Sequence, residues 1–185
     1  METISVNKGI RIIEQDITQC DDEAIVNAAN TGLWHGGGVD DAIRTAAGRQ
    51  MDVDLAKVGH VDVGGIVVTA GYKLKQKYVF HTAGPDCADY DGEERPDLLL
   101  LCYKNALDKA RELDVHSIAF PCISTGIFGY EKNRAAKVAL KTVNDWLEAN
   151  LGYDLRVDML CYFNPNHPNR HDDLDSFKKA ELDLI

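Results

Sequence analysis

Apolar positions in this chain follow two alternating rhythms. Short, near-continuous apolar runs rich in β-branched residues predict strands at 10–13, 24–28 (AIVNA), 64–71 (GGIVVTAG) and 77–84 (KYVFHTAG). Two more are predicted at 116–126 (HSIAFPCISTG, a buried strand running into a turn) and 155–163 (LRVDMLCYF). Between them, apolar residues recur three and four apart. That spacing predicts helices at 40–47, stopped by Gly48, and at 97–114 and 133–150, with a terminal helix in LDSFKKAELDLI. Helices between strands that are apolar on both sides predict one α/β domain over residues 1–185 with both sheet faces covered. The opening strands can add an antiparallel edge. PNHPNRHDD, 165–173, reads as a polar loop before the last helix.

Composition narrows the function classes. The 185 residues are enough for one real core, and a formal net charge of -10 argues against broad binding to a nucleic-acid backbone. It leaves room for one small anion at a local site. No apolar run is long enough to span a membrane, and METISVNKGIRII lacks an export signal's apolar segment, so a cytoplasmic protein is expected. Five cysteines, at 20, 87, 102, 122 and 161, have no close metal-type spacing. Cys122 and Cys161 lie in apolar, strand-like runs and read as small buried side chains.

In α/β domains ligands bind beyond the carboxyl ends of strands. Loops after Val26, Phe80 and Phe120 are therefore the informative ones. In GGGVDDAI, 36–43, glycines let backbone amides approach a ligand, and the helix that follows adds the positive end of its dipole. This suits a phosphate or diphosphate, although any tight turn could use the glycines. The stretch is neither a Walker A loop nor GxGxxG. Asp40 and Asp41 could equally cap the helix. ISTGIFGY, 123–130, offers a second loop of amides and hydroxyls at Ser124, Thr125 and Gly126. Asn27 and Asn30 suit sugar hydroxyls or an ordered water, or else stabilise Asx-type turns.

IVNAAN, GGGVDDAI, HTAGP and AFPCISTGIFGY together resemble the macrodomain family, in the branch that removes ADP-ribose from acidic protein residues and deacetylates O-acetyl-ADP-ribose. The resemblance covers about 12–163. It implies a three-layer α/β/α sandwich around a mixed six-stranded sheet. It also implies site roles. Asp16 would accept a hydrogen bond from the adenine amino group, with the Ile17 amide on the ring and Phe163 packing on adenine. Asn27 would support the loop or the distal sugar, and Asn30 would bind the distal ribose. Gly36, Gly37, Gly38 and Val39 would wrap the diphosphate and that ribose from one side. Ser124, Thr125, Gly126, Ile127 and Phe128 would close over the diphosphate from the other. His81 would serve structure. The chain departs from the family's usual pattern at Gln15, His35 beside Trp34, Arg44 and Glu131, and its segment 49–59 is short and acidic.

The implied chemistry is hydrolysis without redox steps, metal or cofactor, with ADP-ribose as substrate or product. The expected partner is a mono-ADP-ribosylated protein, and the chain is expected to be a monomer. Asp40 is the first choice for orienting water or a ribose hydroxyl, with Asn30 fixing the same group. Competing readings are a non-catalytic ADP-ribose reader, which would need neither residue, and a phosphatase acting on ADP-ribose 1″-phosphate. A more remote alternative is RNA binding or regulation of a ribonuclease, disfavoured by the acidic balance.

Overall fold

The computed structural model describes residues 3–7, 9–163, 166 and 170–184. Seven strands form one sheet: β1 (Thr3–Asn7), β2 (Ile10–Glu14), β3 (Ala24–Ala29), β4 (Val67–Ala70), β5 (Tyr78–Ala83), β6 (Ser117–Phe120) and β7 (Arg156–Cys161). Their spatial order is β1-β2-β7-β6-β3-β5-β4. The five inner strands run parallel, and β1 and β4 are antiparallel edges. Five helices cover the sheet: α1 (Val39–Ala47), α2 (Arg49–Val58), α3 (Pro96–Glu112), α4 (Lys132–Ala149) and α5 (Asp172–Glu181). None of the helices in the described residues is long and apolar enough to cross a membrane.

Alternation along the strands divides the core in two. Val26, Phe80, Phe120 and Met159 belong to one apolar cluster, with residues of α3, α4 and α5 such as Leu99, Leu140 and Phe177. Ile25, Val79, Ala119 and Leu160 belong to the other, with Ile43, Met51 and Leu55 of α1 and α2. Successive side chains point to opposite faces, so the result is the expected three-layer α/β/α sandwich.

The sheet has seven strands rather than six. The added edge comes from β1, where Ile4 and Val6 pack on the core while Thr3 and Ser5 face outward. Helix α2 was also not foreseen. Gly48, at φ 88°, ends α1 and opens α2 at once, so no loop separates them. Its signal was the pair Met51 and Leu55, four apart and both buried, closed by Gly59 at φ 75°. The predicted strand at 64–71 starts only at Val67, because a turn bonds the Gly65 amide to the Asp62 carbonyl and holds Gly64 at φ 80°. Cys122 lies past the end of β6 and only Cys161 is in a strand. Of the polar stretch 165–173, residues 165 and 167–169 lie outside the described residues, and Asp172 and Asp173 already belong to α5.

Candidate functional site

Because β2, β7, β6, β3 and β5 are parallel, their carboxyl ends share one edge of the sheet. Residues far apart in sequence meet there: Asp16 and Ile17 after β2, Asn30 and 36–39 after β3, Gly84 after β5, 124–128 after β6 and Phe163 after β7. Hydrogen bonds tie the loops to one another. The Gln15 amide donates to the Cys161 carbonyl at 3.1 Å, and the Cys87 amide to the Phe128 carbonyl at 2.9 Å.

The loop after β3 is held by side chains on both flanks. Asn30 Nδ2 donates to the Trp34 carbonyl at 2.9 Å, and the Trp34 amide donates back to Asn30 Oδ1 at 3.2 Å. Leu33, between them, sits at φ 55°, in the left-handed region. Gly38 is the one glycine of the three that requires a positive φ, at 62°, and it opens α1 without a side-chain cap. The first-turn amides of α1 therefore have no intrahelical acceptor and can face an anion. The Gly36 amide is not among these donors, because it points inward to Asp40 Oδ2 at 2.7 Å. A Cβ on Gly36 would lie 3.3 Å from Asp40 Oδ2 and 3.4 Å from Asn30 Nδ2. The two expected catalytic side chains thus converge across this glycine.

Asp40 is a buried hub rather than a surface cap. Its Oδ1 accepts from Asn27 Nδ2 at 2.6 Å and from Arg44 Nε at 2.9 Å. Arg44 is itself 1% exposed and spends its other nitrogens on Asp52 Oδ1 at 2.8 Å and on the Leu33 carbonyl at 3.1 Å. Asn27 lies fully buried in β3 beneath the loop. It supports the loop through Asp40, and its Oδ1 has no hydrogen-bond partner among the described residues. The second hydrogen of Asn27 Nδ2 reaches Nδ1 of His81, its register partner on β5, at 3.0 Å. Since that nitrogen must accept, the His81 proton sits on Nε2 and is donated to Thr69 Oγ1 at 2.9 Å. Burial pushes the His81 imidazole down to about 3, with Arg44 adding to the effect, so it is neutral. His81 thus bridges Asn27 and Thr69 inside the sheet, away from solvent.

His35 stands on the exposed flank of this network. Its Nε2 lies 3.0 Å from Asp41 Oδ1 and its Nδ1 3.3 Å from Asp52 Oδ2. The hydrogen bond to Asp41, followed by that to Asp52, raises its pKa above the usual histidine value. Burial works to raise the Asp52 carboxyl, but hydrogen bonds from Arg44 and His35 outweigh it and the group is lowered. Asp41 accepts from His35 and Thr45 and does not cap the helix.

In the second glycine-bearing loop the hydroxyls turn inward. Ser124, at φ 65°, places its Oγ 2.2 Å from where a Gly84 Cβ would stand, so the loops after β5 and β6 interlock only because residue 84 has no side chain. That hydroxyl is buried with no hydrogen-bond partner among the described residues, and Thr125 Oγ1 donates to the Cys122 carbonyl at 2.9 Å. The amides of 125–128, not the hydroxyls, are what this loop can offer a diphosphate. Glu131, a departure from the family pattern, caps α4 by accepting from the Asn133 and Arg134 amides at 3.0 and 2.9 Å. At the far end, Asp16 Oδ1 accepts from the Thr18 amide and hydroxyl at 2.9 and 2.8 Å, bracing the turn Ile17–Gln19 while the residue stays exposed. The Ile17 side chain is buried, and Phe163, two residues past β7, is half-exposed.

Arg44 and Asp52 were not among the expected site residues. The signals were the spacing of four between Asp40 and Arg44 on one helix face and the acidic first turn of α2.

The family described as Macro domain matches residues 26–139. The ADP-ribose glycohydrolase MACROD2 of Xenopus laevis is 44% identical over 162 residues, covering 88% of this chain and 37% of that protein. The Oceanobacillus iheyensis macrodomain with ADP superposes at a TM-score of 0.84 with 31% identity, over 100% of this chain and 96% of that one. The Trypanosoma brucei macrodomain in complex with ADP-ribose superposes at 0.81 with 34% identity, over 92% and 68%. The chain thus spans about a third of the length of the Xenopus relative and almost all of the Oceanobacillus domain. With the two glycine-bearing loops both at the carboxyl edge of a mixed sheet between helix layers, these matches establish that the chain belongs to the Macro domain family.

Proposed function

We propose that this chain binds ADP-ribose and hydrolyses the bond that joins its distal ribose to an acidic side chain of a protein. The observation that carries this reading is the convergence of Asn30 and Asp40 on Gly36, next to the amino end of α1. The naming of the Xenopus relative as an ADP-ribose glycohydrolase supports it, as does the binding of ADP and ADP-ribose by the solved neighbours. The diphosphate lies between the α1 amino end and the 125–128 amides, the adenine near Asp16 and Phe163, and the distal ribose against Asn30. Asp40 Oδ2, whose one partner among the described residues is the Gly36 amide, keeps lone-pair capacity for a water or ribose hydroxyl entering beside Asn30. Water supplies hydroxyl to C1″, the bond to the ester oxygen breaks, and the carboxylate leaves with the bonding pair while a proton passes to solvent. O-acetyl-ADP-ribose would be a second substrate of the same site: water adds to its acetyl carbonyl carbon, the bond from that carbon to the ribose oxygen breaks, the ribose oxygen takes a proton, and acetate is released with the other proton passing to solvent. Both reactions are redox-neutral and consume only water.

Single-turnover release of ADP-ribose from a protein modified on glutamate or aspartate, with ADP-ribose affinity measured in parallel, tests the reading. Release by the wild type, with a large loss for a folded Asn30→Ala variant that still binds ADP-ribose, is expected. Tight ADP-ribose binding with no release would leave a reader module instead.

A further inference from the structure

Trp34 is the one large apolar side chain of the ribose-side loop that the fold leaves in water, with 63% of its surface exposed. Exposing an indole forgoes roughly 25 cal/mol for each Å² of apolar surface left uncovered. The backbone that carries this indole is braced. The Trp34 amide and carbonyl are clasped by the Asn30 side chain. Leu33 before it is forced to φ 55°, and the Leu33 carbonyl is fastened by buried Arg44. The ring lies over Gly32, where a Cβ would meet ring carbons Cζ3 and Cε3 at 1.7 and 2.0 Å. Glycine at 32 is therefore what seats the ring. An exposed aromatic carried on a braced turn, with its ring already resting on the chain, has less ordering entropy to lose on binding, and tryptophan is enriched among residues that dominate interfaces.

Its position says which part of a ligand it meets. Trp34 and Asn30 close the same turn, and Asn30 is the residue assigned to the distal ribose under the function proposed above. In an ADP-ribosylated protein the polypeptide continues from that ribose, beyond C1″. We propose that Trp34 is a docking platform for the polypeptide that carries the ADP-ribosyl group, setting the preference for modified protein over small ADP-ribose compounds. The inference rests on the ADP-ribose reading of the site.

The test compares two ligands by calorimetry: ADP-ribose, and a short peptide bearing ADP-ribose through a hydrolysis-resistant linkage. The wild type binds the conjugate more tightly than ADP-ribose. Trp34→Ala removes that surplus, about tenfold, while its affinity for ADP-ribose stays within about twofold of wild type, which also reports an intact turn. Trp34→Phe keeps part of the surplus. A conjugate that binds the wild type no better than ADP-ribose overturns the proposal. So does a Trp34→Ala variant that loses both ligands equally, since the indole would then be touching the nucleotide or bracing Asn30. A wild type that binds neither ligand sinks the ADP-ribose reading itself, and this inference with it.

Discussion

Replacing Arg44 with methionine keeps most of the side chain's apolar volume and deletes its charge. The structure places three hydrogen bonds on that guanidinium: to Asp40 at 2.9 Å, to Asp52 at 2.8 Å and to the Leu33 carbonyl at 3.1 Å. Asp52 is partly exposed and can turn to water, so its bond counts for little. Asp40 has no such escape. Its side chain is 3% exposed, and without Arg44 it would be a buried carboxylate facing only the neutral donors of Asn27 and Gly36. Breaking a buried pair from one side typically costs about 3–5 kcal/mol, a large part of the roughly 5–15 kcal/mol that holds a domain of this kind together. Arg44→Met should therefore lower the urea midpoint by that equivalent. Arg44→Lys, which supplies one point charge in place of a three-way fork, should fall between. Removing both charges with Arg44→Met plus Asp40→Asn should cost less than the two single losses summed, with a coupling of about 2 kcal/mol or more. Fluorescence of Trp146, mostly buried against α3, reports the transition. A loss below about 1 kcal/mol for Arg44→Met, or strict additivity in the double variant, would refute the hub.

Gly36→Ala should wedge Asn30 from Asp40, lowering turnover more than ADP-ribose affinity, whereas Gly37→Ala, whose Cβ meets nothing within 4 Å, should leave the free protein as stable as wild type; kinetics with parallel titration separate the two. Asp16→Ala should weaken ADP-ribose binding, measured by calorimetry, and loosen the Ile17–Gln19 turn without unfolding the domain. His81, lowered from 6.5 to about 3 on folding, makes the unfolded chain the better proton acceptor. Its contribution is thus intact above about pH 6.5 and is lost as pH falls toward 3, at up to roughly 1.4 kcal/mol per pH unit; unfolding series at several pH values should show a shallower slope in His81→Gln. His35 works in the opposite sense. Its raised pKa gives a contribution complete below the unfolded value and lost as pH rises through the folded one, so the same series should show His35→Ala losing stability relative to wild type on the acid side only.

Periodicity and short motifs determined a good deal of this protein. The apolar runs at 24–28 and 77–84 read as buried strands and are β3 and β5, the three- and four-residue spacing at 97–114 and 133–150 read as helix and is α3 and α4, and the glycine-bearing loops after β3 and β6 suggested a place for an anion. These are local signals, written within a few residues of the structure they specify. The tertiary structure decided what depends on distance in space. Parallel pairing of β3 with β5 put His81 beside Asn27, 54 residues away, and joined the two buried side chains by a hydrogen bond. Packing of α2 against α1 turned Asp52 into an anchor for Arg44. Burial of Asp40 changed a candidate helix cap into the hub that draws the Gly36 amide inward, so the GGG run contributes fewer free amides than its letters imply. The approach of Gly84 to Ser124 buried a hydroxyl that the sequence alone would place in the ligand's path. A charged or polar side chain can satisfy its hydrogen bonds with many partners, and only the closed fold, by excluding water from some of them and leaving others wet, selects which.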